Sequence, residues 1–470
     1  DAHTDNFGRL QVDKQQNYIL EDAQRKNSGR NHQGPLVIKF HRSYDTCDDE
    51  DDYIIDKGTT HLVYFNHKGP ISSLDRINLM EEKVIVQRVQ LLKSQIPDAP
   101  KPTDVRELVV HVDQVPVPLD ETTYWCTVKK LPNFVDKHHI IKYEGAISKE
   151  TQGIVHHLEV FNCQIPEGRD VIRYNAPCKS MAERPKGLES CTKVLGAWAM
   201  GADYMTYPFE AGAPIGGPHM SRFVMIEVHY NNPLHISGLV DSSGIRFYIT
   251  RQLRRFDAGI MEIGLEYTDK MALPPHLPKW ELHGYCIPEC TEMALPSKGI
   301  YVFSSQLHTH LTGMKIYTKH IRGGIELPEL NRDDHYSPHY QEIRRLHEPV
   351  LVLPGDALVT TCVDQTRNKD NVTLGGFSIS DEMCVNYIHY YPLVNLEVCK
   401  SSVTTKSLYD FFDLMKRKFD DDIDLENGIS YNYQTIDWTR EKVDMLRNFY
   451  DTAPISMQCN KSNGVKFPVN

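Results

Sequence analysis

Between about residue 107 and residue 250, apolar side chains come in short alternating runs cut by Pro, Gly and Asn, for example Ile154 to Phe161, Phe223 to Tyr230 and Ile245 to Thr250. Alternation with period two buries one face of a strand. Many such runs, with few long helical patterns among them, predict a β-sandwich. A second stretch of the same kind runs from about 255 to 400, with strands predicted at Ile300 to Leu307, Val350 to Leu353 and Leu358 to Cys362. Two β domains in tandem follow, over 107–250 and 251–400. Ahead of them, residues 1–70 hold the strand-like runs Leu36 to Phe40 and His61 to Phe65 on either side of the acidic stretch Asp48 to Asp52, too few strands to stand alone. From Leu74 to Leu92 the positions of Leu79, Val84, Val86, Val89, Leu91 and Leu92 predict a mainly helical segment, closed by the proline cluster Ile96 to Pro102. Residues 71–106 therefore read as a helical, proline-rich linker. The last segment, 401–470, predicts a helix over Ser407 to Phe419, an acidic loop at Asp420 to Glu426 and a helical pattern over Trp438 to Tyr450.

Composition narrows the class. With 52 basic and 63 acidic side chains in 470 residues the net charge is −11, which argues against nucleic acid as a partner. No unbroken apolar run approaches the roughly 20 residues of a membrane helix, so no membrane span is expected in this chain. The opening Asp1-Ala2-His3-Thr4-Asp5 lacks the basic start and apolar middle of a signal peptide, and the chain reads as soluble and already processed. Eleven cysteines, with the glycosylation triplets at Asn371 and Asn460, point to an oxidising compartment and the secretory pathway. The count of 22 histidines is the outlying entry in the composition, a liberal supply of neutral imidazole for metals.

Three histidine groups qualify as metal ligands. His308-Thr309-His310 follows an apolar run, and in a strand residues two apart share a face, so both imidazoles can reach one ion. His138-His139 and His156-His157 are adjacent pairs; neighbours in a regular strand point apart, so sharing a metal requires a local twist. Taken alone His-x-His is a weak pattern, more often surface or hydrogen-bonded histidines than ligands, an adjacent pair is weaker still, and spacing alone cannot choose between the groups.

The wording around these residues is more specific. Val155-His156-His157-Leu158-Glu159-Val160-Phe161-Asn162-Cys163, Glu227-Val228-His229-Tyr230-Asn231, Gln306-Leu307-His308-Thr309-His310-Leu311-Thr312-Gly313 and Asp381-Glu382-Met383-Cys384-Val385-Asn386-Tyr387 resemble the copper type II, ascorbate-dependent monooxygenases. The similarity extends from about residue 105 to the end through Tyr124-Trp125-Cys126, Tyr285 to Cys290 and Ala453 to Cys459, and the wording is nearest to the dopamine-β-hydroxylase-like branch. The resemblance implies an all-β fold of two tandem antiparallel, jelly-roll-like β-sandwich copper domains, preceded by a partial DOMON-like β module and the helical linker. Arg42 to Cys47 and Asp56 to Thr60 carry the DOMON likeness.

By the same resemblance, His156, His157 and His229 hold the electron-transfer copper, and His308, His310 and Met383 hold the oxygen-binding copper. A thioether favours Cu(I), the form that must meet O₂. His138 and His139 stay outside the copper set. The implied disulfides are Cys126–Cys178, Cys163–Cys191, Cys286–Cys399, Cys290–Cys459 and Cys362–Cys384, leaving Cys47 over. The implied reaction inserts one oxygen atom of O₂ into a C–H bond of a small hydrophobic, arylalkylamine-like substrate, with ascorbate as reductant. Gln306 stands where the peptide-hydroxylating branch has an arginine, which disfavours a peptide substrate. Tyr387 is expected to line the pocket and Glu262 to face a substrate ammonium group. With no cysteine between Phe411 and Thr452, any homodimer is expected to be non-covalent. The expected location is the endoplasmic reticulum lumen or the exterior, with membrane tethering left to a C-terminal tail absent here. The competing reading is a catalytically silent copper-binding or storage protein. A zinc hydrolase built on His308 and His310 ranks last, since no acidic residue follows at short spacing and Met383 would be a poor zinc ligand.

Overall fold

The structure is a computed structural model of the 470-residue chain. It describes all residues except 1, 6–7, 28–32, 49, 66, 68–69, 166–172, 179–186, 219 and 470. Strands take up 45% of the residues and helices 12%, so the fold is all-β. The chain forms two compact units, Asp1–Lys93 and Ser94–Asn470.

The first unit contains three two-stranded antiparallel ribbons, Ala2–Thr4 with Leu10–Val12, Ile19–Asn27 with Gln33–His41, and Thr60–Phe65 with Val84–Val89. Here the expectation of a helical linker is corrected. Only a single turn, Leu74–Arg76, is helical, and Val84–Val89 is a strand in register with Thr60–Phe65. The run Val84-Ile85-Val86 is β-branched throughout; such side chains lose rotamer freedom in a helix and fit a pleated surface, which outweighs a loose helical periodicity. Many large apolar residues of these ribbons, among them Ile19, Leu20, Ile38, Phe40, Tyr64 and Ile85, remain exposed. Inside the unit Arg42 is buried, bonded to Asp52 at 3.3 Å and to the Tyr53 carbonyl at 2.7 Å.

The second unit holds two sandwiches. In the first, a five-stranded antiparallel sheet runs in the order Asn175–Pro177, Thr122–Lys130, Phe223–Asn231, Val155–Cys163, Cys191–Ala199. It packs on a six-stranded sheet centred on Lys137–Ala146 and Gly244–Thr250. Alternation decides which side is core. Leu158 and Val160, with Val224, Ile226, Val228 and Tyr230, are fully buried between the sheets among Ile140, Tyr143, Ile245 and Phe247. The intervening His157, Glu159, Glu227 and His229 must therefore lie on the opposite face.

The second sandwich repeats the plan. Its six-stranded sheet runs Arg344–Val352, Ile300–Thr309, Cys384–Tyr391, Gly259–Leu265, Val398–Val403, Ile455–Asn460, against a four-stranded sheet of Trp280–Cys286, Ala357–Asp364, Gly313–Arg322 and Ile325–Asp333. Ser305, Leu307 and Asn386 face the four-stranded sheet: Ser305 Oγ bonds Asn386 Oδ1 at 2.7 Å, and Asn386 Nδ2 reaches Thr318 Oγ1 at 2.9 Å. Gln306 and His308 thus take the other face.

The helix expected over Ser407 to Phe419 is Thr405–Phe419, capped by the Thr404 hydroxyl and burying Leu408, Phe411, Phe412 and Met415. Arg440–Thr452 is the second expected helix, capped by Thr439. Gly428–Thr435, a short helix without an apolar stripe, has no counterpart in the sequence reading. After the helices the chain returns as the strand Ile455–Asn460 on the edge of the six-stranded sheet.

Candidate metal centres

The first histidine group depends on a bulge. Val155 pairs with Tyr230 and His157 with His229, so two steps on one strand match one step on its neighbour and His156 is the extra residue. That is the local twist adjacent histidines need. The Nδ1 atom of His157 lies 3.3 Å from Nδ1 of His156 and 3.2 Å from Nδ1 of His229. Three nitrogens converging on a point from neighbouring strands leave a cradle for a cation. Burial holds all three imidazoles well below their ordinary pKa, His156 to about 4, and mutual repulsion between the histidines adds to this. They are neutral at physiological pH and available as donors. The Tyr124 ring stacks on His229 at 4.4 Å.

The second group is held by carbonyl oxygens. His308 Nδ1 donates to Gln341 Oε1 at 2.5 Å and His310 Nδ1 to the Asp381 carbonyl at 3.0 Å, which leaves Nε2 of each ring as the donor to a metal. Their rings lie 5.3 Å apart and nearly perpendicular. Met383 is buried, and the Cys362–Cys384 disulfide pins the residue after it to the four-stranded sheet. Glu382, fully buried, gathers the surrounding backbone: its carboxylate accepts from the N–H of Met383 at 2.8 Å and of Thr312 at 2.9 Å, and from the N–H of His310. A Cβ at Gly313 would fall 2.0 Å from Thr309 Oγ1, so only glycine permits the turn after His310 to close this tightly. Cys384, the residue after Met383, pairs across strands with Thr309, which brings the thioether's segment alongside the two histidines, and imidazoles with a thioether suit copper in both oxidation states.

Between the two groups lies an acidic, aromatic row. Glu262, Tyr387 and Gln306 stand directly opposite one another on three adjacent strands, and the Tyr387 ring is 6.0 Å from the His308 ring. The Glu262 carboxylate is already engaged, by the buried ammonium of Lys400 at 2.6 Å and by the Tyr267 hydroxyl. Gln306 spends its amide on the Gln341 carbonyl at 3.0 Å. Sequence reading missed Glu159 and Glu227, which pair across strands two residues from His157 and His229, on the same face. Burial, then the charges of Glu227 and Glu262, raises the Glu159 carboxyl to about 8. The Glu-x-His and His-x-Glu spacing in two strands was the available signal. Gln341, Glu382 and Tyr124 were also missed. Tyr124 reaches across to the second sandwich, its hydroxyl donating to the Phe377 carbonyl at 3.2 Å.

The structure contains the disulfides Cys126–Cys178, Cys163–Cys191, Cys286–Cys399, Cys290–Cys459 and Cys362–Cys384, while Cys47 is a free, exposed thiol. His139 uses both nitrogens, Nε2 to Asp257 at 2.9 Å and Nδ1 accepting from the Arg254 N–H at 3.0 Å, and His138 Nδ1 bonds the Asp136 carbonyl at 2.8 Å. Asn371 is exposed, whereas Asn460 is half-buried at a strand end, with its Oδ1 shielded.

Residues 108–237 match the family model described as copper type II ascorbate-dependent monooxygenase, N-terminal domain, and residues 256–412 match its C-terminal domain. The chain belongs to the copper type II ascorbate-dependent monooxygenases. It is 46% identical to human (Homo sapiens) dopamine beta-hydroxylase over 469 residues, 99% of this chain and 75% of that protein. It is 40% identical to the tyramine beta-hydroxylase of Caenorhabditis briggsae, over 96% of this chain and 76% of that one. Identity to mouse (Mus musculus) DBH-like monooxygenase protein 1 is lower, 35% over 85% of this chain and 64% of that one. The likeness therefore lies nearer to the dopamine hydroxylases than to the paralogous branch that the motifs suggested. Among solved structures, an infectious bursal disease virus VP2 particle aligns over 76% of this chain and 97% of that one, at 10% identity and a TM-score of 0.14, too low to bear on the fold. As a member of its family the chain is a copper-dependent monooxygenase that uses two copper ions, ascorbate and O₂. No helix among the described residues is long and apolar enough to cross a membrane.

Proposed function

We propose that this monooxygenase hydroxylates a C–H bond of an arylalkylamine in the space between the two histidine faces. The reaction takes R–H, O₂, two electrons from ascorbate and two protons to R–OH and water. His156, His157 and His229 hold one copper through Nδ1; His308 and His310 hold the other through Nε2, with Met383. Copper supplies the one-electron steps and the activation of O₂. The protein supplies placement: stiff strands fix the donors, and Gln341 and the Asp381 carbonyl fix which nitrogen each ring of the second group presents.

The observation that carries the substrate reading is the gathering of carboxyls, Glu159 opposite Glu227 on the first sandwich and Glu262 opposite Tyr387 on the second, near enough that, after burial and Glu227, Glu262 also raises the Glu159 carboxyl, with Gln306 where a peptide carboxylate would want a cation. Lys400 already neutralises Glu262, whereas burial, then the charges of Glu227 and Glu262, holds the Glu159 carboxyl up, so Glu159 is the group that gains most when a substrate ammonium arrives. The names of the relatives, dopamine and tyramine hydroxylases, support the same class. The disulfides and the exposed sequon at Asn371 support a glycosylated protein of the secretory pathway.

The test is ascorbate-dependent oxygen consumption by protein loaded with two equivalents of copper, offered phenethylamine, tyramine and dopamine, with products identified by mass. Hydroxylated product that disappears on copper removal is expected. Two tightly bound coppers without product from any of the three would overturn the substrate assignment and favour a silent copper-binding protein.

A further inference from the structure

The connection from Asp334 to Ile343, between two strands of the second sandwich, touches both histidine groups. On its own side, the Tyr336 hydroxyl accepts from the Thr309 N–H at 2.9 Å, and Gln341, buried, bonds His308 Nδ1 at 2.5 Å while its Nε2 donates to the Pro338 carbonyl at 2.8 Å and the Thr309 carbonyl at 3.2 Å. On the other side, the edge of the buried Tyr340 ring lies on Gly201 of the first sandwich, where a Cβ would come 2.7 Å from Tyr340 Cδ2. Gly201 sits in the turn after Cys191–Ala199, and the N–H of its neighbour Met200 donates to the His156 carbonyl at 2.8 Å. The strap continues into the first sandwich: Ile343 packs against its core, and Arg345 donates to Thr206 Oγ1 at 3.1 Å.

Two adjacent residues on each side thus join His156 to His308: Met200 and Gly201 facing Tyr340 and Gln341. We propose that Tyr340, seated on the bare backbone of Gly201, is a positioning residue that sets the two copper groups against each other and, through Gln341, orients His308. Gly201 is required twice, for its φ of +92° and for the space its missing side chain leaves to the ring. If the ring lifts, Gln341 moves with it, and the imidazole it holds loses its fixed tautomer and tilt. The proposal rests on the reading of His156 and His308 as copper ligands.

Protein titrated with copper(II) tests it, by the electron paramagnetic resonance signal of the copper at the second group and by the affinity for the second equivalent. Tyr340→Ala is expected to broaden that signal and to lower the second affinity about tenfold or more, the scale seen when a partner of a ligating histidine is lost. The first affinity should hold. Gly201→Ala should reproduce Tyr340→Ala, whereas Gly238→Ala, which adds a Cβ at a φ of +77° with nothing within 4 Å, should match the parent. This glycine pair decides the matter even if Tyr340→Ala fails to fold. An unchanged second signal and affinity in Tyr340→Ala or Gly201→Ala, or equal damage from Gly238→Ala, would overturn the proposal. His308→Ala separates the two possible failures. If that variant still binds two coppers, the ligand reading falls; if it binds one while Gly201→Ala binds two with a normal second signal and affinity, only the positioning role falls.

Discussion

The two sandwiches solve one problem by different means. In the first, the ligands belong to two paired strands, and a bulge at His156 aims three Nδ1 atoms at one point. Sheet hydrogen bonds and a core of Leu158, Val160, Ile226 and Val228 behind that face do the holding. In the second, only His308 lies within a strand, its ring bonded to Gln341; His310 and Met383 sit just outside strand ends and are held by Glu382, Asp381 and a disulfide. A bulge recurs there too, at Phe303, where it turns the ring into the core of the first sandwich rather than aiming a ligand. A centre made from strand faces is rigid by construction. One made from strand ends and loops can be adjusted, at the cost of depending on many partners, as suits the centre proposed to admit O₂ and substrate.

The comparison can be broken most directly at Met383. Met383→Ala should abolish product formation, a loss beyond about 10³-fold, while the first site keeps its copper; full turnover in that variant, measured with the copper content, would remove the asymmetry. Opening the Cys362–Cys384 bridge by a paired substitution to Ala should cost roughly 2 to 5 kcal/mol in denaturant unfolding, and should weaken the second copper more than the first. Equal weakening of both coppers would mean that the bridge serves general stability alone. Glu382→Gln replaces an acceptor-only carboxylate with an amide that cannot take all the N–H groups now bound to it. Copper at the second site should weaken about 10- to 100-fold in competition titrations with a chelator, with the first site unmoved. The smallest effect is expected from Tyr124→Leu, which removes the stack on His229 and the bond to Phe377, worth about 0.5 to 1.5 kcal/mol. It should move the first affinity slightly, and a larger shift at the second site would show that the bridge to Phe377 outweighs the stack.

Much of this was legible in the residues. Period-two runs located the strands around both histidine groups, and motif wording selected the histidines and the methionine. The partners of those residues were not legible, because they come from cross-strand register and distant loops: Gln341 lies 33 positions from His308. Likewise nothing in His156-His157 says where a bulge will fall, since that depends on how Val155 and His157 pair with Tyr230 and His229. The segment Val84 to Val89 went wrong for a local reason. Its apolar spacing fits either period, and the partner strand Thr60–Phe65 decides between them.

The bridges beside the centres bear on the choice of reductant. Cys163 closes the strand that carries His156 and His157, and Cys384 directly follows Met383. A thiol donor that gained access to these buried sulfurs would exchange with them and loosen the scaffolds around both donor sets. Ascorbate has no thiol with which to form a mixed disulfide. An enzyme braced in this way can be bathed in its own electron source without being taken apart by it, and the family's dependence on a non-thiol donor is then a condition of the architecture as much as of the chemistry.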